Sequence, residues 1–445
     1  MKNKSIINII IANFLWSLIP IFVSSLFDTT SIIMVIFLRF IISGLFFLLL
    51  ALILILINNR FTERRKIPFK IIFHILRNKN QRFLNLKNIS YFTILGFFGI
   101  IMQLIFYFLG LKTTTIALTM IGFQISIILV AVYEHGVKTE KLGVFKILYL
   151  LILVFSISII IYVKLSEAVA QNQSLNLLGI IYVILFGIFL TFFQIFLNRD
   201  RYSEQEIDIM TENHSFKVIR LLIKISLTFL FGILCLMPLS LILLILPLDI
   251  NLFNETVKFF TEFQNIFPIL IKWQMIFLIV FSTIIPFLLV FISSITWKPY
   301  SLTYSQWNSI LTLIEPIGGL FFGVLLIGEY FPWEFLAIVI FLLLISILFR
   351  YVHESTNVVN AYLFLKLQRG FLSSLPLKLL EYHGVNKIEH ITGLFDMKVT
   401  VKTNSIRDFY YLVNDKLRNY SEIKSIAILF IDKIFEPKKT RSRFG

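Results

Sequence analysis

The sequence from Ile32 to Ile57 reads IIMVIFLRFIISGLFFLLLALILILI and contains a single charged residue, Arg39. A run of this length is long enough to cross the hydrocarbon core of a bilayer, which takes about 20 apolar residues in an α-helix. Its apolar residues fall on every side of a helix, whereas a surface helix of a soluble protein keeps one polar face. The stretch therefore predicts a membrane-spanning helix, and much of the chain repeats the pattern.

The composition agrees with a membrane protein and excludes several other classes. Of the 445 residues, 58% are hydrophobic and only 15% are charged, against about 25% charged in an ordinary soluble domain. This excludes a soluble enzyme, a disordered chain and a small secreted disulfide scaffold. Cys235 is the only cysteine, which excludes an intrachain disulfide and a cysteine-based metal cluster.

Ten apolar segments predict an all-α polytopic membrane protein with ten transmembrane helices. The predicted spans are residues 6–26, 32–57, 89–111, 113–133, 143–163, 175–197, 225–247, 273–297, 301–327 and 331–351. An even number of spans places the two termini on the same side of the membrane.

The distribution of basic residues predicts which side that is. If the N-terminus is inside, the connecting segments on the inside hold 19 Lys and Arg, and those on the outside hold 4. Such an excess marks cytoplasmic loops. We therefore expect a multi-pass protein of the cell membrane with both termini in the cytoplasm. Within the basic segment 58–88, the amphipathic stretch 68–77 either lies on anionic lipid or belongs to a solvated loop.

The spans divide evenly into two halves, residues 1–163 and residues 175–351, with five spans each. Because five is odd, the second half enters the membrane in the opposite direction to the first. This is the plan of transporters built from two inverted repeats, which place the substrate site near the membrane midplane, at the repeat interface.

Polar side chains recur at helical spacing inside several spans, although each costs free energy in hydrocarbon unless it has a partner or faces water. The clearest stripe is in the ninth span, from Ser301 to Gly323. For its Gly, Ser and Thr members, close packing of helices is an alternative explanation. The residues expected to bind a transported substrate are Trp16, Gln103, Tyr107, Asn308, Thr312 and Glu315.

Two charged residues within spans have several interpretations. Glu315 is a proton-coupling acid, a partner for a substrate ammonium group, or a neutral structural residue. Pro316 follows it, and because proline has no N–H we expect the helix to be loosened there. Arg39 either extends towards the interface or pairs with a carboxylate inside the bundle.

The composition changes near residue 355, and residues 358–445 contain no segment long enough to span a membrane. The pattern predicts strands at 360–367, 385–391, 397–402 and 424–434, and helices at 372–382 and 405–419. The order βαββαβ predicts a separate α+β domain with a ferredoxin-like fold.

The membrane part resembles a known family. The segment from Glu315 to Glu329, EPIGGLFFGVLLIGE, resembles the second-repeat signature of EamA-type transporters in the drug/metabolite transporter superfamily. Asn13–Ser17 (NFLWS) and Leu38–Phe40 (LRF) are similar to its first repeat. This resemblance covers about residues 6–351. It implies two five-span repeats and the export or exchange of small metabolites, often amino acids.

The tail resembles a second family. Ala361–Leu367 (AYLFLKL) and Ile391–Asp396 (ITGLFD) look like the ligand-binding domain of Lrp/AsnC regulators. That resemblance implies amino-acid binding near Gly393 and Asp396, and a homodimer formed through the C-terminal domain. The membrane helix ends too close to the tail for the DNA-binding element of that family, so we expect no nucleic-acid partner.

Together these features predict a secondary transporter that exports amino acids or related small metabolites and is regulated by an amino-acid-sensing cytoplasmic tail. The alternative is a membrane-anchored sensor or scaffold without transport activity. A third interpretation, a lipid-modifying enzyme, has little support because the His residues are scattered and only Glu134 and His135 form a suggestive pair. We expect no catalytic residues, no metal and no cofactor, and because no Walker-type Gly-rich loop is present we expect no ATP hydrolysis.

Overall fold

The structure is a computed structural model. It describes residues 2–61, 66–67, 86–136, 143–172, 176–197, 206, 209, 213, 215–246, 250–297, 302, 304–356, 359–368, 375–382, 384–403 and 406–430. The predicted amphipathic stretch 68–77 and Ser301 lie outside the described residues.

The described residues contain ten helices that are long and apolar enough to cross a membrane, which confirms the predicted all-α polytopic architecture of the larger part. Numbered in chain order, the spans are Lys4–Ser24, Ile32–Arg60, Asn88–Thr113, Ile116–Gly136, Val144–Ala170, Leu177–Leu197, Ser215–Ile245, Trp273–Thr296, Tyr304–Ile327 and Trp333–Ser355. Each overlaps one predicted span.

Four of the spans are irregular. The first is interrupted between Ser17 and Ile19, and the ninth between Leu311 and Ile314. The π-helical segments are Phe97–Met102 in the third span, Val280–Ile284 in the eighth and Gly323–Ile327 in the ninth. In a π-helix each backbone hydrogen bond spans five residues instead of the four of an α-helix. Such segments often adjoin functional sites.

The spans pack in pairs that cross between the two halves of the sequence. The first span packs against the eighth and the ninth, and the sixth packs against the third and the fourth. The second and seventh spans form the most extensive pair. Glycines allow close approach, because a Cβ at Gly96 would collide with the Thr228 carbonyl oxygen, and one at Gly122 with the Phe186 ring.

Two ends of the bundle are distinguished by their ion pairs. At the Lys112 end, Lys112 pairs with Glu255 and Lys164 with Glu329. At the Lys146 end, Lys146 pairs with Glu134. An additional helix, Ile250–Glu262, lies at the Lys112 end between the seventh and eighth spans.

The contacts divide the chain into two compact units, and the smaller contains the tail. The larger unit consists of Met1–Trp297 and Asn308–Phe349, and the smaller of Lys298–Trp307 and Arg350–Gly445. The smaller unit therefore includes the residues just before Asn308 as well as the end of the tenth span.

The tail contains the predicted four strands and two helices. The strands are β1 Val359–Leu367, β2 Val385–His390, β3 Met397–Thr403 and β4 Ile423–Phe430. The helices are Leu375–Leu380 and Ile406–Tyr411, the second continuing as a π-helical turn to Lys416. The strand order is β2-β3-β1-β4, with all neighbours antiparallel. Alternate residues of β1, beginning with Ala361, are buried with Phe409 and Val413 in the core of this unit.

We expect Gly96→Ala to destabilise the bundle, because the added methyl group would meet backbone atoms of the seventh span that cannot rotate away. Overpacking of this kind costs about 1–3 kcal/mol. Gly136→Ala is the matched control, since a Cβ there meets nothing within 4 Å, and it should leave stability unchanged or raise it. Thermal unfolding of the detergent-solubilised protein compares the two. Equal melting temperatures for both variants would contradict the close packing of the third and seventh spans.

Candidate transport site

Buried polar side chains from three spans come together inside the larger unit. Arg39 of the second span and Tyr107 of the third are each 2% exposed, and Glu315 of the ninth span is partly buried. The three are close enough to interact electrostatically. We call Arg39, Tyr107 and Glu315 the polar cluster.

Arg39 is held by an irregular point of the eighth span. Its Nε donates to Thr283 Oγ1 at 2.5 Å, and its Nη2 donates to the Ser282 carbonyl at 2.9 Å. The residue four positions after Ser282 is Pro286. Because proline has no N–H, the Ser282 carbonyl lacks the donor that an α-helix would supply, and Arg39 takes its place.

One sequence-based alternative for Arg39 is therefore wrong, since its side chain is buried and does not extend to the interface. As to the other alternative, Arg39 interacts electrostatically with Glu315 but forms no ion pair with a carboxylate among the described residues. It binds a carbonyl and a hydroxyl group instead. Proline on a distant span creates the acceptor, and the sequence does not show that the two spans meet there.

Trp16 reaches the same point from the first span. Its Nε1 donates to the Ser282 carbonyl at 3.1 Å, and its ring meets the edge of Phe287, with 5.8 Å between centroids. The side chain predicted to bind substrate thus joins the first span to the eighth through a polar contact beside Arg39.

The ninth span is loosened where Pro316 predicts it. The Thr312 carbonyl, which has no donor at Pro316, accepts from the Glu315 N–H at 3.2 Å. The Thr312 hydroxyl donates to the Asn308 carbonyl at 2.9 Å. Asn308, Thr312 and Glu315 are spaced to lie along one face of this interrupted helix. The break puts Glu315 in the first turn of the helix Ile314–Phe322.

Several polar atoms near this site have no hydrogen-bond partner among the described residues. They are Arg39 Nη1, Tyr107 Oη and Asn308 Oδ1, all buried. A buried polar group without a partner costs about 1–3 kcal/mol. Arg39 and Glu315 also form no ion pair with each other. The cluster therefore presents donors and an acidic side chain that the described residues do not satisfy.

Gln124 is a site residue that sequence reasoning missed. It is fully buried in the fourth span, and neither its Oε1 nor its Nε2 has a partner among the described residues. A Cβ at Gly323 would touch Ile116, and one at Gly319 would touch Met120. These two contacts show that the fourth and ninth spans run in opposite directions. Gln124, one turn after Met120, therefore lies at the level of Glu315, one turn before Gly319. The signal available was its position as the only amide in the fourth span.

Gln103 lies one helical turn before Tyr107, directly after the π-helical segment of the third span. It is partly buried. Its amide has no hydrogen bond within the described part of the chain. Its direct contact with the polar cluster stays a prediction.

A surface cavity of about 270 Å³ has none of the polar cluster among its lining residues. It is lined by the fifth and tenth spans and the loop before the tenth, including Tyr162, Glu167, Tyr330 and Phe335. None of the predicted substrate-binding residues lines it. Within the described ranges, no group of three or more His, Cys, Asp and Glu side chains could hold a metal ion.

In the tail, the two residues predicted to contact a ligand occupy the turn between β2 and β3. Gly393 has a φ of 133°, a backbone conformation that favours glycine. Asp396 Oδ2 accepts from the Leu367 N–H at 2.7 Å, and the Asp396 N–H donates to the Leu365 carbonyl at 2.9 Å. Asp396 therefore ties this turn to β1, and its contact with a ligand stays a prediction.

Elsewhere in the tail, a tyrosine pair joins the start of β4 to the helix Leu375–Leu380. The hydroxyl groups of Tyr382 and Tyr420 lie 2.7 Å apart. Burial and the hydrogen bond to Tyr382 raise the pKa of Tyr420. The phenol therefore stays protonated, and the pair stays intact, throughout the physiological pH range.

Comparisons with known proteins add little. No family model matches the sequence, and no curated protein matches it. Among solved structures, a chain titled only "Crystal structure of protein" aligns with a TM-score of 0.46 and 12% identity, over 79% of this chain and 98% of that one. A likeness at this level says nothing about function.

We expect Gln124→Leu to keep or raise the stability of the protein, because a similar apolar side chain replaces two unpartnered polar atoms. Thr191→Val is the matched comparison, since the Thr191 hydroxyl donates to the Gly187 carbonyl at 2.7 Å and its loss should cost about 1 kcal/mol. Thermal unfolding in detergent measures both. A marked loss of stability in Gln124→Leu would mean that the amide is satisfied and structural.

Proposed function

We propose that this chain is a secondary transporter of amino acids or related small metabolites, of the EamA-like type that its sequence resembles. The observation that carries the proposal is the set of unpartnered polar atoms inside a bundle of ten apolar helices. Buried polar groups within membrane spans are expensive, and those that persist line substrate or ion paths. A bundle that only anchored the tail would have no use for them.

The chemistry of the polar cluster suits a small zwitterion. With no partner among the described residues, Arg39 Nη1 and Tyr107 Oη can donate to a substrate carboxylate, and Glu315 can accept from an ammonium group. Gln124 and Asn308 supply amide groups for the remainder of the substrate.

The pairing of spans supports the predicted inverted repeats. A two-fold relation between the halves exchanges each span with the span five positions away in chain order. It therefore turns the first–eighth pair into the sixth–third pair, and the first–ninth pair into the sixth–fourth pair. All four pairs are present. The second–seventh and fourth–ninth pairs, also present, convert into themselves. A two-fold relation between halves would give this result, and alternating access would then rock one half against the other.

The tail is proposed to regulate transport as an amino-acid sensor. Its strand order, read as β4-β1-β3-β2, supports the ferredoxin-like fold and the Lrp/AsnC-like assignment. Within the smaller unit, Gln306 Nε2 donates to Glu354 Oε2 at 2.8 Å, and the rings of Trp307 and Tyr351 lie 5.4 Å apart. The segment that leads into Asn308 is thus bonded to the segment that leads into the tail. Pairing of two tails in a homodimer remains part of this proposal.

We expect Glu315→Gln to abolish amino-acid flux while leaving the protein folded, because the amide keeps the shape of the side chain but loses its charge. Purified protein in liposomes, tested by counterflow with each of the twenty radiolabelled amino acids, measures this. Glu334→Gln is the matched control, since Glu334 is exposed at the start of the tenth span, and its flux should equal that of the unmodified protein.

Two results would overturn the proposal. Flux that survives Glu315→Gln would exclude Glu315 from the transport site. Absence of counterflow for all twenty amino acids, combined with a thermal shift of the full-length protein by one of them, would favour the alternative of a membrane-anchored sensor without transport.

Deletion of residues 358–445 should retain flux and remove its dependence on amino acid added to the tail side of the liposomes. Coupling between two sites typically changes affinity 5- to 150-fold, so the loss of dependence should be easily measured. Flux with unchanged amino-acid dependence would exclude regulation by the tail.

A further inference from the structure

Three carboxylates of the second half hold the first half at the Lys112 end of the bundle. They are Glu255 and Glu262, both in the helix Ile250–Glu262, and Glu329, which follows the ninth span. We call these three residues the clasp. Their partners are the starts of two spans and two lysines.

Glu255 is the most buried member, 3% exposed. Its Oε2 accepts from the Ile32 N–H at 2.6 Å, at the start of the second span. Its Oε1 accepts from Lys112 Nζ, at the end of the third span, at 2.5 Å. A carboxylate at the start of a helix meets unpaired N–H groups and the positive end of the helix dipole. Glu255 thus joins two spans of the first half to a helix of the second.

Glu262 accepts from the Ser31 N–H through both of its oxygens, at 2.9 and 3.1 Å. Two lysines of the second half add contacts with the loop between the first and second spans. Lys258 Nζ donates to the carbonyl of Phe27 at 3.1 Å, and Lys272 Nζ donates to Thr29 Oγ1 at 2.9 Å. The helix Ile250–Glu262, together with Lys272, is therefore hydrogen-bonded to this loop at several points.

Glu329 repeats the arrangement on the fourth span. Both of its oxygens accept from the Ala117 N–H, at 3.2 and 3.3 Å. Its Oε1 also lies 2.9 Å from Lys164 Nζ, a lysine whose side chain is only 2% exposed. Lys164 donates in addition to the Tyr330 carbonyl at 2.7 Å.

Each of these bonds crosses from one half of the sequence to the other. At the Lys146 end, hydrogen bonds such as that from Asn213 Nδ2 to Asn58 Oδ1 at 3.3 Å also cross between the halves, but two ion pairs there differ in this respect. Glu134 with Lys146 lies within the first half, and Glu206 with Arg220 lies within the second. If the halves rock against each other, the bonds of the clasp must break, whereas these two pairs can move as parts of rigid bodies.

We propose that the clasp is the outer gate of the transport cycle, and that this structure has the gate closed. The inference rests on the proposed transport function for its purpose, and on the distribution of basic residues for the side of the membrane. Carboxylate bonds to helix starts and lysines suit a gate, because water replaces each of them when the end opens, whereas interlocked apolar side chains would be exposed to water.

The gate can be tested without knowing the substrate. A reporter cysteine is placed at Thr312→Cys, in the break of the ninth span, in a Cys235→Ala background. A membrane-impermeant maleimide is then added to intact cells that express the full-length protein. Glu255→Gln and Glu329→Gln should each speed labelling from outside by about tenfold, which is within the range of ordinary coupling between states.

Glu134→Gln is the matched control, because it breaks an ion pair of 2.9 Å at the opposite end and within one half. Its labelling rate from outside should stay unchanged. Loss of a clasp carboxylate could prevent folding, and Lys112→Gln is a milder variant for that case. Lys112 is 37% exposed, and in this variant Glu255 keeps its bond to Ile32. It should speed labelling in the same direction.

The proposal is overturned if folded clasp variants and Lys112→Gln label at the unmodified rate, or if Glu134→Gln speeds labelling equally. Faster labelling only in inside-out vesicles would also overturn it, because the clasp would then be on the cytoplasmic side. The two proposals fail separately. Faster labelling without flux of any amino acid would contradict the transport function alone, and flux with unchanged labelling would contradict the gate alone.

Discussion

The hydrogen bonds of the Ser282 carbonyl hold the centre of the membrane bundle together. In hydrocarbon every backbone group needs a partner from the protein, and Pro286 deprives this carbonyl of its helical donor. Trp16 and Arg39 supply the missing bonds from the first and second spans. One irregularity in the eighth span therefore fixes the first, second and eighth spans at one point. It also holds Arg39 inside the bundle, where a basic side chain would otherwise be too costly.

That anchoring leaves the polar cluster only partly satisfied. Arg39 uses Nε and Nη2 to bind the eighth span, while its Nη1 and the Tyr107 hydroxyl have no partner among the described residues. Glu315 sits beside a second proline-induced break, in the first turn of its helix. Rigid attachment on one side and unused donors on the other are what a binding site needs, because the protein positions the groups in advance and the ligand completes them. Stability alone would favour apolar residues here.

The clasp and the polar cluster depend on similar physical conditions at different depths. Both use irregular or terminal helix positions, where backbone groups lack helical partners. At the Lys112 end the partners are carboxylates of the other half, so the protein closes on itself. At the polar cluster, Arg39 Nη1 and the Tyr107 hydroxyl have no partner among the described residues, and the proposed function assigns that place to the substrate. The smaller unit, which includes Trp307 and the tail, adjoins the polar site in sequence at Asn308.

The ten spans and the four-stranded tail could be predicted from the amino-acid sequence, because hydrophobicity over 20 residues and strand alternation are local properties of the chain. Glu315 and the break before Pro316 could be located in the same way, since a carboxylate and a proline within a span are visible without a partner. The folded chain was needed to show what Arg39 binds, that Gln124 lies level with Glu315, and which helix starts the clasp holds. Each depends on contacts between residues far apart in sequence, and no local pattern specifies which carbonyl or N–H group a distant side chain will meet.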